Sequence, residues 1–167
     1  MQRWTGGQEQ VMRIEFGNDK VILDGDYMAS GIKVVLDDGA FMPTKAHEDD
    51  AGFDLRTPKK TYIAPGGCAV IDTGVHVEIP HGCVGMVKSK SGLNVRHGIL
   101  SEGVIDSGYT GSIVAKLYNF GQEPITFEAG EKITQLVIMP ICIADLVQAD
   151  SLDDTERGAN GFGSSGK

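Results

Sequence analysis

From Ile32 onward, apolar side chains fall in short runs of four to nine residues cut by Gly, Pro, Asn or Asp. That spacing predicts strands. Val75, Val77 and Ile79 alternate with His76 and Glu78, a period of two that sets three apolar side chains on one face of a half-buried strand. Ile113, Ala115 and Leu117 repeat the pattern against Ser112, Lys116 and Tyr118, and residues 132–139 (KITQLVIM) read as a strand apolar on both faces. Pro65-Gly66-Gly67, Pro80-His81-Gly82, Phe120-Gly121-Gln122 and Ala129-Gly130-Glu131 supply turns at the spacing of all-β sandwiches and barrels. Residues 91–97 (SGLNVRH) read as a short helix, with Ser91 as candidate N-cap and Gly98 as the stop. A last strand is expected from Ile141 to Val147.

The two ends break the pattern. Residues 1–30 offer a short strand at Lys20-Val21-Ile22-Leu23, ending at the turn-like Asp24-Gly25, and no chemistry. Residues 149–167 are almost free of aliphatic side chains and cannot order themselves by core burial, yet they hold Arg157 and Phe162 among glycines. The chain therefore divides into an N-terminal extension of unknown role (1–30), a β domain (31–148) and a flexible C-terminal arm (149–167). Its 167 residues suit a single core without disulfides or structural metal. The 23 glycines fit the many turns. A net charge of −8 disfavours sequence-independent binding to nucleic acid, which needs clustered Lys and Arg, but allows a small nucleotide carrying its own metal ion. Cys68, Cys83 and Cys142 form an odd set without C-x-x-C spacing, and no signal-peptide-like or membrane-spanning apolar run is seen, so a soluble, cytoplasmic protein is expected.

Four segments carry candidate chemistry. Gly161-Phe162-Gly163-Ser164-Ser165-Gly166 formally matches a dinucleotide loop and nearly a P-loop, but both motifs work where a strand turns into a helix, and no helix-forming run follows. The segment reads either as a flexible tail or as a source of N–H and hydroxyl donors for phosphate. In residues 85–93 (GMVKSKSGL), Lys88 and Lys90 supply charge while Ser91, Gly92 and Leu93 supply neutral donors; a polar strand end with a capping Ser91 accounts for the same residues. Asp106 in GVIDSGYTG (103–111), and Asp54 in AGFDL (51–55), are each open between turn residue and functional carboxylate. His47, His76, His81 and His97 lack zinc-site spacing and read as solvated surface histidines, and no G-x-S-x-G elbow is present.

Taken in order, AGFDL, GMVKSKSGL, GVIDSGYTG, GEKITQLVI (130–138) and RGANGFGSSG (157–166) resemble the five motifs of the homotrimeric dUTPases. With Ile32–Leu36 similar to that family's first strand, the resemblance covers residues 32–167. It implies a distorted jelly-roll (β-clip) subunit in a homotrimer. Its sites lie at subunit interfaces and hydrolyse dUTP to dUMP and pyrophosphate with Mg2+, limiting uracil in DNA and supplying dUMP for dTMP synthesis. By the same resemblance Asp106 orients and deprotonates the attacking water at the α-phosphorus. Tyr109 packs under deoxyribose and excludes a 2′-hydroxyl, and main chain around Leu100, Gly103, Val104 and Ile105 reads uracil. Lys90, Ser91, Gly92 and Gln135 hold the α- and β-phosphates, with Asp54 in support. Arg157 grips the γ-phosphate, Phe162 stacks over uracil, and Gly163, Ser164 and Ser165 add donors. Magnesium is then held by substrate phosphates and water rather than by protein ligands.

Two of the motifs depart from the family's usual form. Lys90 stands where Arg is usual, keeping the charge but losing the bidentate fork, and motif four reads Lys132-Ile133-Thr134-Gln135 in place of Arg-Ile-Ala-Gln. A dCTP deaminase on the same fold needs a carboxylate on the strand after motif three, where this chain has Lys116. A dUTP-sensing binding protein, with residues 1–30 or a surface loop docking a regulatory protein partner, is the non-enzymatic alternative.

Overall fold

The computed structural model describes residues 31–160, together with the backbone of two strands at 12–16 and 19–23. In chain order the elements are β1 (Met12–Phe16), β2 (Asp19–Leu23), β3 (Val34–Leu36), β4 (Gly52–Arg56), β5 (Thr61–Ile63), β6 (Cys68–Asp72), β7 (Val75–Val77), β8 (Cys83–Lys88), α1 (Ser91–His97), β9 (Ile99–Ile105), β10 (Val114–Asn119), β11 (Ile125–Phe127) and β12 (Lys132–Pro140). Six strands form one sheet in the order β4-β12-β8-β9-β10-β6, and β1-β2, β3-β7 and β5-β11 form smaller pairs. Every pairing is antiparallel. This is the all-β architecture that the turn spacing predicts, and it agrees with the jelly-roll subunit that the family resemblance implies.

The alternation explains the burial. Val75, Val77 and Ile79 enter one apolar cluster with Leu55, Val87 and Leu136, while Ala115 and Leu117 enter a second with Ile71, Ile99 and Ile133. Strand β12 is apolar on both faces because it serves both clusters: Leu136 packs in the first and Ile133 in the second, with a register shift between Lys132 and Thr134. Burying a side chain of this size contributes about 1.5–3 kcal/mol, so the two clusters dominate the stability of the sheet.

Two expectations are corrected here. Ser91 is the first helical residue and not the cap: Lys90 occupies the cap position in extended conformation, its carbonyl accepts the Asn94 N–H at 2.9 Å, and no side chain caps the helix. The physical reason is that Lys90 is fixed by a partner on β4, which sets where the chain leaves the sheet. The stop is as expected. Gly98 has φ 66°, and a Cβ there would lie 2.7 Å from the Gly121 nitrogen, so only glycine fits. The strand expected at Ile141–Val147 is not formed. Its last sheet-like contact is Ile141 N–H to the Gly82 carbonyl at 2.9 Å, and beyond it Ile143, Leu146 and Val147 stand exposed, since no strand among the described residues covers them.

Candidate active site

A polar cradle forms where β4, β12 and β8 lie side by side. Register places Asp54 opposite Gln135, and Gln135 opposite Lys88. Asp54 is a strand residue, only 4% exposed, which removes the turn reading. Its Oδ1 accepts from the Lys90 ammonium and its Oδ2 from Lys132 at 2.6 Å. Burial would raise the Asp54 carboxyl, but hydrogen bonds from Lys132 and Lys90 outweigh it and hold the group below its ordinary value. The carboxylate thus gathers two ammonium groups, each about one-third exposed, at the mouth of the cradle. Gln135 donates from Nε2 to the Ser89 carbonyl at 3.1 Å, and Gly52 makes room for it: a Cβ at 52 would sit 2.2 Å from the Gln135 Oε1. Ser91 and Gly92 follow directly in the first turn of α1, where N–H groups have no intrahelical acceptor. Lys88, by contrast, is taken up by Glu102 at 2.5 Å.

Replacing Asp54 by Asn should leave Lys90 and Lys132 facing each other without an anion between them. We expect a loss of about 1–3 kcal/mol in urea unfolding at pH 7, the range for removing one member of a partly buried charged network. Because the carboxyl is depressed in the fold, its contribution is present above its ordinary value of about 3.9 and disappears as pH falls through the lower folded value. Wild type and variant should therefore converge as pH falls through that lower folded value; a gap that stays constant from neutral pH into strong acid would contradict the charge argument.

The second group lies on β9 and the turn that follows. Asp106 comes directly after Ile105, and the Tyr109 N–H returns to the Asp106 carbonyl at 3.2 Å. The hairpin reading and the carboxylate reading of this segment are compatible, since the turn presents the Asp106 side chain outward. Tyr109 donates its hydroxyl to the Ser112 carbonyl at 3.1 Å and leaves no room for a side chain at Gly111, where a Cβ would meet that hydroxyl at 2.3 Å. Strands β9 and β10 pair only at Ile99–Ser101 with Leu117–Asn119, although β9 runs on to Ile105 and β10 starts at Val114. Beyond Ser101 the two strands are no longer paired, which leaves a slot between them beside Leu100; Gly103, Val104 and Ile105 still pair with Val87, Met86 and Gly85 of β8, so only their main-chain groups that point away from β8 face it. A cavity of about 980 Å³ adjoins the turn, lined by Tyr109, His76 and Pro80 among others.

The structure does not bring these two groups together. On the β8–β9 pair the register runs from Lys88↔Glu102 to Gly85↔Ile105; Ser91 leaves beyond the first end and Asp106 beyond the second. The ends are separated by about 10 Å along the strands, and β9 lies two strands from β12, about 10 Å more across the sheet. Arg157 sits elsewhere, on an exposed turn with its Nε donating to the Asn160 carbonyl at 3.2 Å. Phe162, Gly163, Ser164 and Ser165 lie outside the described residues.

Sequence reasoning missed two residues. Lys132, noted above only as a departure in motif four, is a direct partner of Asp54; its position three residues before Gln135 is the signal that marks it. His76 is not a free surface histidine, since both ring nitrogens have partners, and nothing in its local sequence marks it. Lys116 projects from the exposed face of β10 with its ammonium 5.0 Å from the Tyr118 ring centre, which offers a cation where deamination would need a carboxylate. Among the described residues no group of three or more His, Cys, Asp or Glu could hold a metal ion, and no helix is long and apolar enough to cross a membrane.

Solved structures similar to this chain include dUTPases of staphylococcal phages. The dUTPase of Staphylococcus bacteriophage 80alpha, solved with dUPNHPP, superposes with TM-score 0.77 and 32% identity over 83% of this chain and 99% of that one. A variant dUTPase from phage phi11 of S. aureus, whose structure describes coordination of a structural Mg(II) ion, superposes with TM-score 0.67 and 29% identity over 72% of this chain and 97% of that one. Among curated relatives, the deoxyuridine 5′-triphosphate nucleotidohydrolase of Anaeromyxobacter sp. is 43% identical over 129 residues, 75% of this chain and 88% of its own length. The Mus musculus protein of the same description is 41% identical over 135 residues, 80% of this chain and 83% of its own. The dUTPase family model matches residues 38–166, and the chain belongs to the dUTPase family.

Proposed function

We propose that this dUTP nucleotidohydrolase cleaves dUTP to dUMP and pyrophosphate in a site shared between subunits of a homotrimer, with Asp106 activating water at the α-phosphorus. The single observation that carries the shared site is the separation of Asp106 from the Ser91–Gln135 cradle to opposite ends of the β8–β9 pair. A carboxylate acts on an α-phosphorus through one water, within two hydrogen-bond lengths. One subunit cannot offer both groups to the same phosphate, so the turn of one copy meets the cradle of another. Exposed apolar surface supports assembly: Val70, Tyr118 and Phe120 on one side of the sheet, and the unpaired run Ile141–Val147, are ready for burial against a second copy.

The roles follow from the chemistry of each group. Uracil enters the slot beside Leu100, where main chain of Gly103, Val104 and Ile105 matches its edge. A cytosine there sets donor against donor and costs about 1–3 kcal/mol per unsatisfied group. Tyr109 carries the deoxyribose and leaves no space for a 2′-hydroxyl. Lys90, Ser91, Gly92 and Gln135 take the α- and β-phosphates, with Asp54 holding Lys90 in place. The aspartate at 106 accepts the proton of water, a weak base whose contribution is largely positioning. The arm from 149 onward brings Arg157 to the γ-phosphate, with Phe162 over uracil and Gly163, Ser164 and Ser165 as further donors, closing the site against water.

Magnesium fits this site as a companion of the substrate. The one buried carboxylate of the cradle is already committed to two lysines, so the ion would be held by phosphate oxygens and water, as Mg2+ commonly is. When bound it supplies charge withdrawal at the phosphates. The acidic chain, at −8, is suited to a metal-bound nucleotide and not to a nucleic-acid polyanion. Residues 31–148 form the catalytic domain in this reading, in a cytoplasmic enzyme that keeps uracil out of DNA and supplies dUMP; the extension at 1–30 is left for a regulatory protein partner. Pyrophosphate release measured across dUTP, dCTP, dTTP and UTP is the test. We expect dUTP to exceed dCTP by at least about 100-fold in kcat/KM, as a site built on hydrogen-bond readout should, whereas dTTP, whose base offers the same hydrogen-bonding edge, tests the room at C5 and UTP tests the fit of Tyr109 to the sugar. Comparable rates for dCTP and dUTP would overturn the slot assignment.

A further inference from the structure

The segment that carries Asp106 and Tyr109 is moored to the rest of the subunit by polar contacts at its far end. Ser112 donates its hydroxyl to the Asp72 carboxylate at 2.5 Å, and Thr73 donates to the Ile113 carbonyl at 2.7 Å. The contact nearest to Tyr109 is His76. Its Nδ1 lies 2.8 Å from the Thr110 carbonyl oxygen and its Nε2 lies 3.3 Å from the Asp37 carboxylate. Neither partner can donate. Both ring nitrogens must therefore carry hydrogen for both bonds to exist, which requires the imidazolium.

We propose that His76 is a positioning residue that, as the doubly protonated ring, clamps the Asp106–Thr110 turn to Asp37 and so holds Asp106 and Tyr109 in the geometry for hydrolysis. The proposal rests on the reading of that turn as catalytic. Deprotonation leaves one donor on the ring. The shorter bond to Thr110 is then retained and the anchor on Asp37 is lost, freeing ring and turn to shift together. The charged surroundings favour the closed form. Asp37, on the loop after β3, and Asp72, on β6, both face the ring, while Lys33 and Glu78 across the adjoining cavity neutralise each other at 2.9 Å, with His81 and Tyr109 on the same wall. Accordingly His76 is raised above its ordinary value, first by its bond to Thr110 and then by the bond to Asp37. A raised value means that the clamp is complete below pH ~6.5 and is lost as pH rises through the higher folded value.

Two measurements on the full chain test this. Nitrogen NMR of the His76 ring should show both nitrogens protonated at pH 6, with a midpoint above 6.5. The kcat/KM profile for dUTP should fall about fivefold to tenfold across that same midpoint, less than the ~100-fold that a 1 Å misplacement can cost. In His76→Asn, whose amide keeps a donor near the Nδ1 position but does not titrate, the fall should vanish. In Asp37→Asn, an exposed substitution, both the NMR midpoint and the kinetic fall should move to lower pH. A single ring proton at pH 6, or an unchanged fall in His76→Asn, overturns the clamp. The NMR result does not depend on turnover: an inert Asp106 would leave double protonation intact, whereas a singly protonated ring removes the clamp whatever Asp106 does.

Discussion

Asp106→Asn should bind dUTP almost as tightly as wild type while turnover falls about 10²–10⁴-fold, the range for removing a positioned general base. Asparagine keeps the shape of the side chain and one accepting oxygen, but its amide cannot take a proton from water. The turn itself should survive, because it is closed by main chain, Tyr109 N–H to the Asp106 carbonyl, and not by the carboxylate. Nor is Asp106 part of either apolar cluster, so folding stability should be close to unchanged. Calorimetric titration with a non-hydrolysable imido analogue, beside single-turnover pyrophosphate release, separates the two effects. Loss of binding in parallel with turnover would make Asp106 a substrate-holding group; unchanged turnover would remove it from the mechanism.

What the sequence made legible was what local periodicity encodes. Val75, Val77 and Ile79 were readable as a core face because a half-buried strand repeats every two residues, and all three are buried. Gly98 was readable as a stop because only glycine tolerates the left-handed turn after α1. The cap was displaced by one residue for a reason no local pattern contains: Lys90 is drawn to Asp54, 36 positions earlier in the chain. The same long-range pairing turned Asp54 from an ambiguous turn residue into a buried strand carboxylate.

The site shows the same division. The five motifs nominate candidate side chains, and the sheet explains why Asp54, Lys90 and Gln135 converge, since β4, β12 and β8 are neighbours. It also separates Asp106 from them, which spacing along the chain cannot reveal: residues 91 and 106 are close in sequence, yet the β8–β9 register sends them to opposite ends. His76 was invisible because its two partners come from separate loops. The run Ile141–Val147 misled for the opposite reason, having the composition of a strand without a ladder partner among the described residues.

The second large effect is a gain. If the cradle of one subunit works on the turn of the next, two dead variants should repair each other. Asp106→Asn retains an intact cradle, and the double variant Ser91→Ala with Gln135→Ala retains an intact turn. Each alone should be inactive. In trimers assembled at random from equal amounts, half the cradles are sound and each has an even chance of meeting a sound turn, so about one quarter of the sites should be competent. Had all the groups come from a single chain, no mixture could contain a complete site.

That experiment bears most directly on the shared site. The two variants are unfolded together, refolded as a mixture, and assayed for pyrophosphate release from dUTP against wild type taken through the same cycle. The account predicts recovery of about one quarter of the wild-type rate, with neither variant recovering when refolded alone. A mixture no more active than its separate components, in trimers shown to contain both chains, would contradict it.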